Sequence, residues 1–177
     1  MQHSDVTLGV ALKHLTEIPV APDTYRVSPE PLLLVAELRG ALALCLHDEE
    51  RRVGGLWHLR FLGDTGRPSD VTDNSLNRVL VELDRFKRAI LGNGEGGDEI
   101  QARILAHALP PTDESEPRAS LVDLIRADLA DAEIICGSET LRRNESVRVC
   151  FEPFAGRIWI SGPHDLRAAP KLRRSAG

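Results

Sequence analysis

Nowhere in the 177 residues is there a run of about 18 apolar side chains, and without one no helix is expected to span a bilayer. The chain opens Met1-Gln2-His3-Ser4-Asp5, with no basic start leading into an apolar run, which argues against a secretory signal. Cysteine is scarce. Cys45, Cys136 and Cys150 are odd in number and widely spaced, so neither a disulfide scaffold nor a structural zinc site is expected. Each lies in an apolar stretch, and the expectation is three reduced core thiols in a cytoplasmic protein. Positive charge is in the minority: Lys plus Arg is 22 against 27 Asp plus Glu, a net charge of -5. That argues against a general phosphate-binding surface, so nucleic acid is not an expected partner. The glycines from Gly92 to Gly97 have no Lys-Ser/Thr partner and do not open a helix, so they are not a phosphate loop. There is no His-Glu-x-x-His, and no thiol or carboxylate cluster joins His47 or His58. No metal and no cofactor are expected.

What is present suits one soluble domain. The hydrophobic fraction is 42% and the charged fraction 28%. Strands are expected at Val6 to Leu12, Leu32 to Ala36, Ala41 to Leu46, Leu56 to Leu62, Ile100 to Leu109 and Ile134 to Cys136. A hairpin is expected over Val147 to Ile160, turning at Ala155-Gly156. The prolines at 19, 22, 29 and 31 predict an irregular connection from Thr16 to Pro31. Leu76, Val79, Leu80, Leu83, Phe86 and Ile90 recur at helical spacing, predicting a helix from Asn74 to Leu91 that is capped by Thr72 or Asp73 and closed by Gly92. A second helix is expected over Leu121 to Ala130, with Ser120 and Asp123 as a capping box, after an acidic loop from Pro110 to Pro117. Glu95, Asp98, Glu99, Asp113, Glu114 and Glu116 make the region around the Ile100 strand acidic, either as solvated loops or as a surface for a basic partner. The domain is expected to occupy residues 1–163, with residues 164–177 a basic disordered tail. Strand-rich ends around two helices predict an α+β fold.

His58 stands out among the candidate site residues. It follows Gly54-Gly55 on a strand, where glycines let another backbone or a ligand come close. The segment Leu38-Arg39-Gly40-Ala41-Leu42-Ala43-Leu44-Cys45-Leu46-His47-Asp48, followed by Gly54-Gly55-Leu56-Trp57-His58, resembles the signature of the chemoreceptor glutamine deamidases, the CheD family. That family reads Leu-Gly-Ser-Cys, an apolar strand ending in Asp, then a glycine-containing opening and a histidine. Ala41 and His58 stand 17 positions apart, as the family's cysteine and histidine do. The resemblance covers roughly Val6 to Ile160.

The resemblance implies a layered sandwich of two mixed β-sheets flanked by helices, the family's cysteine-hydrolase fold. It also implies a thiolate that attacks receptor glutamine side chains, a histidine that activates it and a threonine that supports the histidine. This chain departs from that equipment. The cysteine falls on Ala41, the threonine on Val35, and only His58 remains. Two glycines of the family fall on Ala106 and His107, a later glycine pair falls near Thr140-Leu141, and an arginine falls on Glu145. The apolar scaffold survives where the polar equipment is lost, which implies a folded protein without the chemistry. Cys45 lies on the face of Ala41 but about 13 Å further along the strand, too far to replace the lost thiol. The partners implied are chemoreceptor cytoplasmic helices and a CheC-type phosphatase. Two other readings stay open: an amidohydrolase with a displaced nucleophile, and a scaffold partner outside chemotaxis.

Overall fold

The computed structural model describes residues 14–61, 73–92, 100–108, 115–142, 145–161 and 166–168. Among these described residues ten strands and two helices follow in order: β1 (Glu17–Pro19), β2 (Thr24–Ser28), β3 (Leu33–Leu38), β4 (Ala41–Asp48), β5 (Val53–Arg60), α1 (Asp73–Leu91), β6 (Ile100–Ala108), α2 (Ser115–Asp131), β7 (Ile135–Arg142), β8 (Val147–Glu152), β9 (Arg157–Ser161) and β10 (Leu166–Ala168). They form two five-stranded sheets. Sheet A runs β1-β3-β8-β9-β10 and sheet B runs β2-β5-β4-β6-β7. Both sheets are mixed: β1 lies parallel to β3 and β6 parallel to β7, and the other pairs are antiparallel. The fold is therefore α+β, a sandwich of two mixed sheets with helices, as the sequence predicts.

Strand alternation assigns the faces. On sheet B, Ala41, Ala43, Cys45, Leu56, Leu105 and Leu141 point inward, against Leu34, Ala36, Leu38, Val147, Val149, Phe151, Ile158 and Ile160 of sheet A. The other face of sheet B carries Leu42, Leu44, Leu46, Trp57 and Ile104, covered by Leu83, Phe86 and Ile90 of α1 and Leu121, Ile125 and Leu129 of α2. The outer face of sheet A holds a smaller cluster of Leu33, Val35, Cys150 and Trp159. Strands β3 and β4 are buried on both faces, which is why they read as continuous apolar runs. Among the described residues, no helix is long and apolar enough to cross a membrane.

Several boundaries differ from expectation. The proline-rich segment from Thr16 to Pro31 contains β1 and β2 rather than an irregular connection. Both are edge strands, where a missing donor is tolerated, and Pro19 is the last residue of β1. Helix α2 begins at Ser115, so the end of the expected acidic loop is helical and Ser120 is not its cap. Pro117 is admitted because it falls in the first turn, where its absent N–H has no intrahelical acceptor to lose. Strand β7 extends to Arg142. Its later residues, Gly137 to Thr140, look polar because it is the edge of sheet B and only partly covered. Leu166–Ala168 pairs with β9, so these three residues of the expected tail belong to sheet A. Gly92 takes φ 63 after α1 and returns its N–H to Arg88, as a C-terminal cap does. The expected Val6 to Leu12 strand, the Thr72 cap and Glu95, Asp98, Glu99, Asp113 and Glu114 lie outside the described residues.

Candidate functional site

The Gly54-Gly55 pair lies within β5, and what comes close to it is protein. A Cβ on Gly54 would stand 2.9 Å from the Phe151 ring across the sandwich, and one on Gly55 would stand 2.5 Å from Phe86 of α1. These glycines let both neighbouring layers settle onto β5. The chemistry-bearing residues gather instead at the start of β4.

Ala41 and His58 occupy the same inward face of adjacent antiparallel strands. The register pairs Ala41 with Arg60 and Ala43 with His58, so Ala41 is the diagonal neighbour of the histidine. His58 is 4% exposed. Its Nδ1 lies 3.1 Å from the carbonyl of Val20. A carbonyl can only accept, so Nδ1 carries the proton and Nε2 the lone pair.

Val35, where the resemblance places the threonine that supports the histidine, does not share a face with that ring. Odd-numbered residues of β3 face outward, and Val35 packs with Leu33, Cys150 and Trp159 on the far side of sheet A. Only its backbone reaches toward the site: the Val35 carbonyl accepts the Val20 N–H at 2.8 Å. Val20 thus supplies the hydrogen bond that a threonine side chain would have been expected to give.

His107 joins the group from the other neighbouring strand. It shares the inward face of β6 with Leu105 and is 0% exposed. Its Nδ1 accepts the Gly40 N–H at 3.2 Å, and its Nε2–H donates to the Glu145 carbonyl at 2.9 Å. Its tautomer is therefore opposite to that of His58, and both its nitrogens are used. Positions 107 and 145, where the resemblance implies a glycine and an arginine, are bonded to each other. Ala41, directly after Gly40, is 1% exposed. The burial of His107 was legible only through strand parity, which puts it on the same face as Leu105.

Neither Thr140 nor Leu141 adds a functional group here: Leu141 is core. Among the described residues, no cluster of three His, Cys, Asp or Glu side chains could hold a metal.

All three thiols are free. Cys45 lies on the inward face, where burial raises its pKa despite the Arg103 charge. Cys150 is raised by burial too, with Arg148 opposing. Cys136, half-buried, is pushed up to about 11, again by burial. Thiolate is the reactive form, so in the folded protein each thiol should label with iodoacetamide at pH 8 well below the rate of a free thiol. Mass spectrometry of timed samples reads this directly, and fast labelling of any one of them would contradict the assignment.

Burial lowers the His58 pKa below the ordinary histidine value, opposed by the Val20 hydrogen bond and by Asp23. As the pH falls, the unfolded chain takes up its proton first. The stability that His58 contributes is therefore complete above about pH 6.5 and is lost as pH falls through the lowered folded value. Thermal unfolding between pH 8 and pH 5 should show a steeper acid decline in the natural chain than in His58→Gln. Parallel curves would show that His58 titrates alike in both states.

The layers and this buried corner define a two-sheet sandwich with a histidine site closed by protein. No family model matches the chain. Sequence comparison finds the probable chemoreceptor glutamine deamidase CheD 1 of Burkholderia thailandensis, 23% identical over 149 residues, covering 83% of this chain and 64% of that protein. Probable CheD proteins of Burkholderia mallei and Burkholderia pseudomallei align at the same identity and coverage. The chain thus spans a little under two thirds of the length of these relatives. The similarity is distant, extends over most of the chain and supports a CheD-like family. Among solved structures, the Bacillus licheniformis hypothetical protein YfiH superposes with a TM-score of 0.44 at 15% identity, covering 67% of this chain and 51% of that one.

Proposed function

We propose that this chain is a CheD-like chemotaxis protein of the cytoplasm that binds without catalysing, with residues 1–163 as its domain. One observation carries the reading. The position matched to the family's nucleophile is Ala41, 1% exposed, and beside it stands His107, 0% exposed with both nitrogens engaged. A methyl group offers no nucleophile, and a buried one offers no access to a carboxamide. His58 is the remnant of the site. The distant similarity to proteins named chemoreceptor glutamine deamidases makes chemoreceptor cytoplasmic helices the partner we propose first. A CheC-type phosphatase is the second.

The test is direct binding. Purified receptor cytoplasmic fragments, with their glutamines intact, are titrated against the protein by calorimetry. Saturable binding with unchanged receptor mass supports the proposal. Binding with a mass gain of one unit per glutamine would instead establish deamidation. No binding to either receptor fragments or a CheC-type phosphatase would favour a role outside chemotaxis.

A further inference from the structure

The crossing from sheet A to sheet B passes directly over His58. Val20, Ala21, Pro22 and Asp23 leave β1 and enter β2, and this strap is fastened at Val20, Ala21 and Asp23. The Val20 N–H is bonded to the Val35 carbonyl on sheet A at 2.8 Å. The Val20 carbonyl meets His58 Nδ1 at 3.1 Å. The Asp23 N–H donates to the main-chain carbonyl of the same histidine at 2.7 Å. Thr24 closes the turn, with its N–H at 3.2 Å and its hydroxyl at 2.7 Å from the Ala21 carbonyl.

Asp23 holds the far end. It adopts φ 59, a left-handed conformation that side-chain-bearing residues rarely take and that Asp and Asn tolerate best. Its carboxylate reaches over to β5. Oδ1 accepts the Arg60 main-chain N–H at 3.0 Å, and Oδ2 accepts Arg60 Nε at 2.8 Å. Arg60 is two residues from His58 on the same strand and the same face. The clasp therefore closes a ring from the backbone of His58, through the strap, and back to β5 two residues on.

We propose that Asp23, clasped by Arg60, is a positioning residue for His58: it presses the Val20 carbonyl against Nδ1 and so fixes the imidazole as the Nδ1–H tautomer, with Nε2 as its accepting nitrogen. The strap orients the ring whether or not the site turns over any substrate. A strap bonded on both sides of His58 replaces the side-chain support.

Substitutions at Asp23 separate the clasp from the backbone conformation. Asp23→Asn keeps both the left-handed preference and an acceptor oxygen. Asp23→Gly keeps the left-handed conformation at no steric cost but removes the acceptor. Arg60→Met removes the side-chain half of the clasp and leaves Asp23 alone. The readout is long-range 1H–15N correlation of the histidine rings at pH 8, with His58 assigned by loss of its signals in His58→Gln. In the natural chain and in Asp23→Asn, His58 should show one protonated-type and one unprotonated-type nitrogen, with the proton on Nδ1. A hydrogen bond of ordinary strength biases the tautomers on the order of tenfold. In Asp23→Gly and Arg60→Met that bias should fall several-fold, and the two 15N shifts should move toward each other.

An Nε2–H tautomer in the natural chain would overturn the proposal. So would an unchanged tautomer in both Asp23→Gly and Arg60→Met, which would leave the strap held by its backbone alone. If Asp23→Gly does not fold, Arg60→Met decides by itself, because its substitution lies on a partly exposed side chain. A receptor-binding result of either sign leaves this measurement untouched.

Discussion

Incubated with glutamine-bearing receptor helices, neither the natural chain nor its Ala41→Cys variant should release ammonia faster than the same chain carrying His58→Ala. For the natural chain the reason, on the proposed reading, is that Ala41 stands where the resemblance places the nucleophile. Removing the nucleophile from a catalytic unit costs on the order of a million-fold in rate. For Ala41→Cys the reason is burial. Cys45, four residues further along the same inward face, is a gauge: desolvation raises its thiol although Arg103 stands near. A thiol at position 41 meets the same desolvation and a neutral His58, so its pKa should lie above the free-thiol value. Timed iodoacetamide labelling against pH, with the native thiols blocked or removed, gives that value. Replacing His107 by glycine in the Ala41→Cys background should accelerate labelling, because the buried ring beside position 41 is gone. Rapid labelling of Ala41→Cys alone, with a midpoint that rises when His58 is replaced, would mean that the corner is open and that the closed-site reading is wrong.

Phe86→Ala should lower the thermal midpoint by roughly 6–20 °C. A buried Phe→Ala change costs about 3–5 kcal/mol, and in a chain of this size each kcal/mol shifts the midpoint by about 2–4 °C. Phe86 is fully buried, with the Tyr25 ring 5.1 Å away and the Trp57 ring 6.1 Å away. It rests on Gly55, where an added Cβ would stand 2.5 Å from the ring and 2.8 Å from the Arg26 carbonyl. Gly55→Ala alone should therefore destabilise by overpacking, about 1–3 kcal/mol. The double variant should lose less than the two single losses combined, since the new methyl occupies part of the space the ring vacates. Strict additivity in calorimetric unfolding would show that Phe86 and Gly55 do not press on each other.

How far the site was legible follows from strand parity. The apolar runs of β3 and β4 and the spacing of Leu83, Phe86 and Ile90 announced a layered core, because burial on two faces or one leaves that signature in the residues themselves. Parity also puts Ala41 and His58 on one face once β4 and β5 pair as a hairpin. Val35 eluded the linear reading because its orientation depends on which sheet β3 joins, and it joins the opposite one. The strap over His58 was hidden for a different reason: four prolines between Pro19 and Pro31 mask two edge strands whose pairing is decided elsewhere in the chain. Parity puts His107 on the face of Leu105, but its place beside Ala41 follows from β6 lying beside β4 rather than beside β5.

The pairing of β3 with β8 sets an order on how the molecule can assemble. Leu34 meets Phe151 and Leu38 meets Val147, partners more than a hundred positions later in the chain. Strands β2, β5, β4 and β6 and helix α1, by contrast, are all in hand by Ala108. On the ribosome, sheet B with its helical cover can form while β3 still lacks its antiparallel partner. Its inward side chains Leu34, Ala36 and Leu38 then lack their neighbours on β8 and β9. Long-range closure of this kind is slow and leaves apolar strand surface exposed while it waits. Chains released before β8 and β9 are made should therefore accumulate with the inner face of sheet B uncovered, and be the species that chaperones bind.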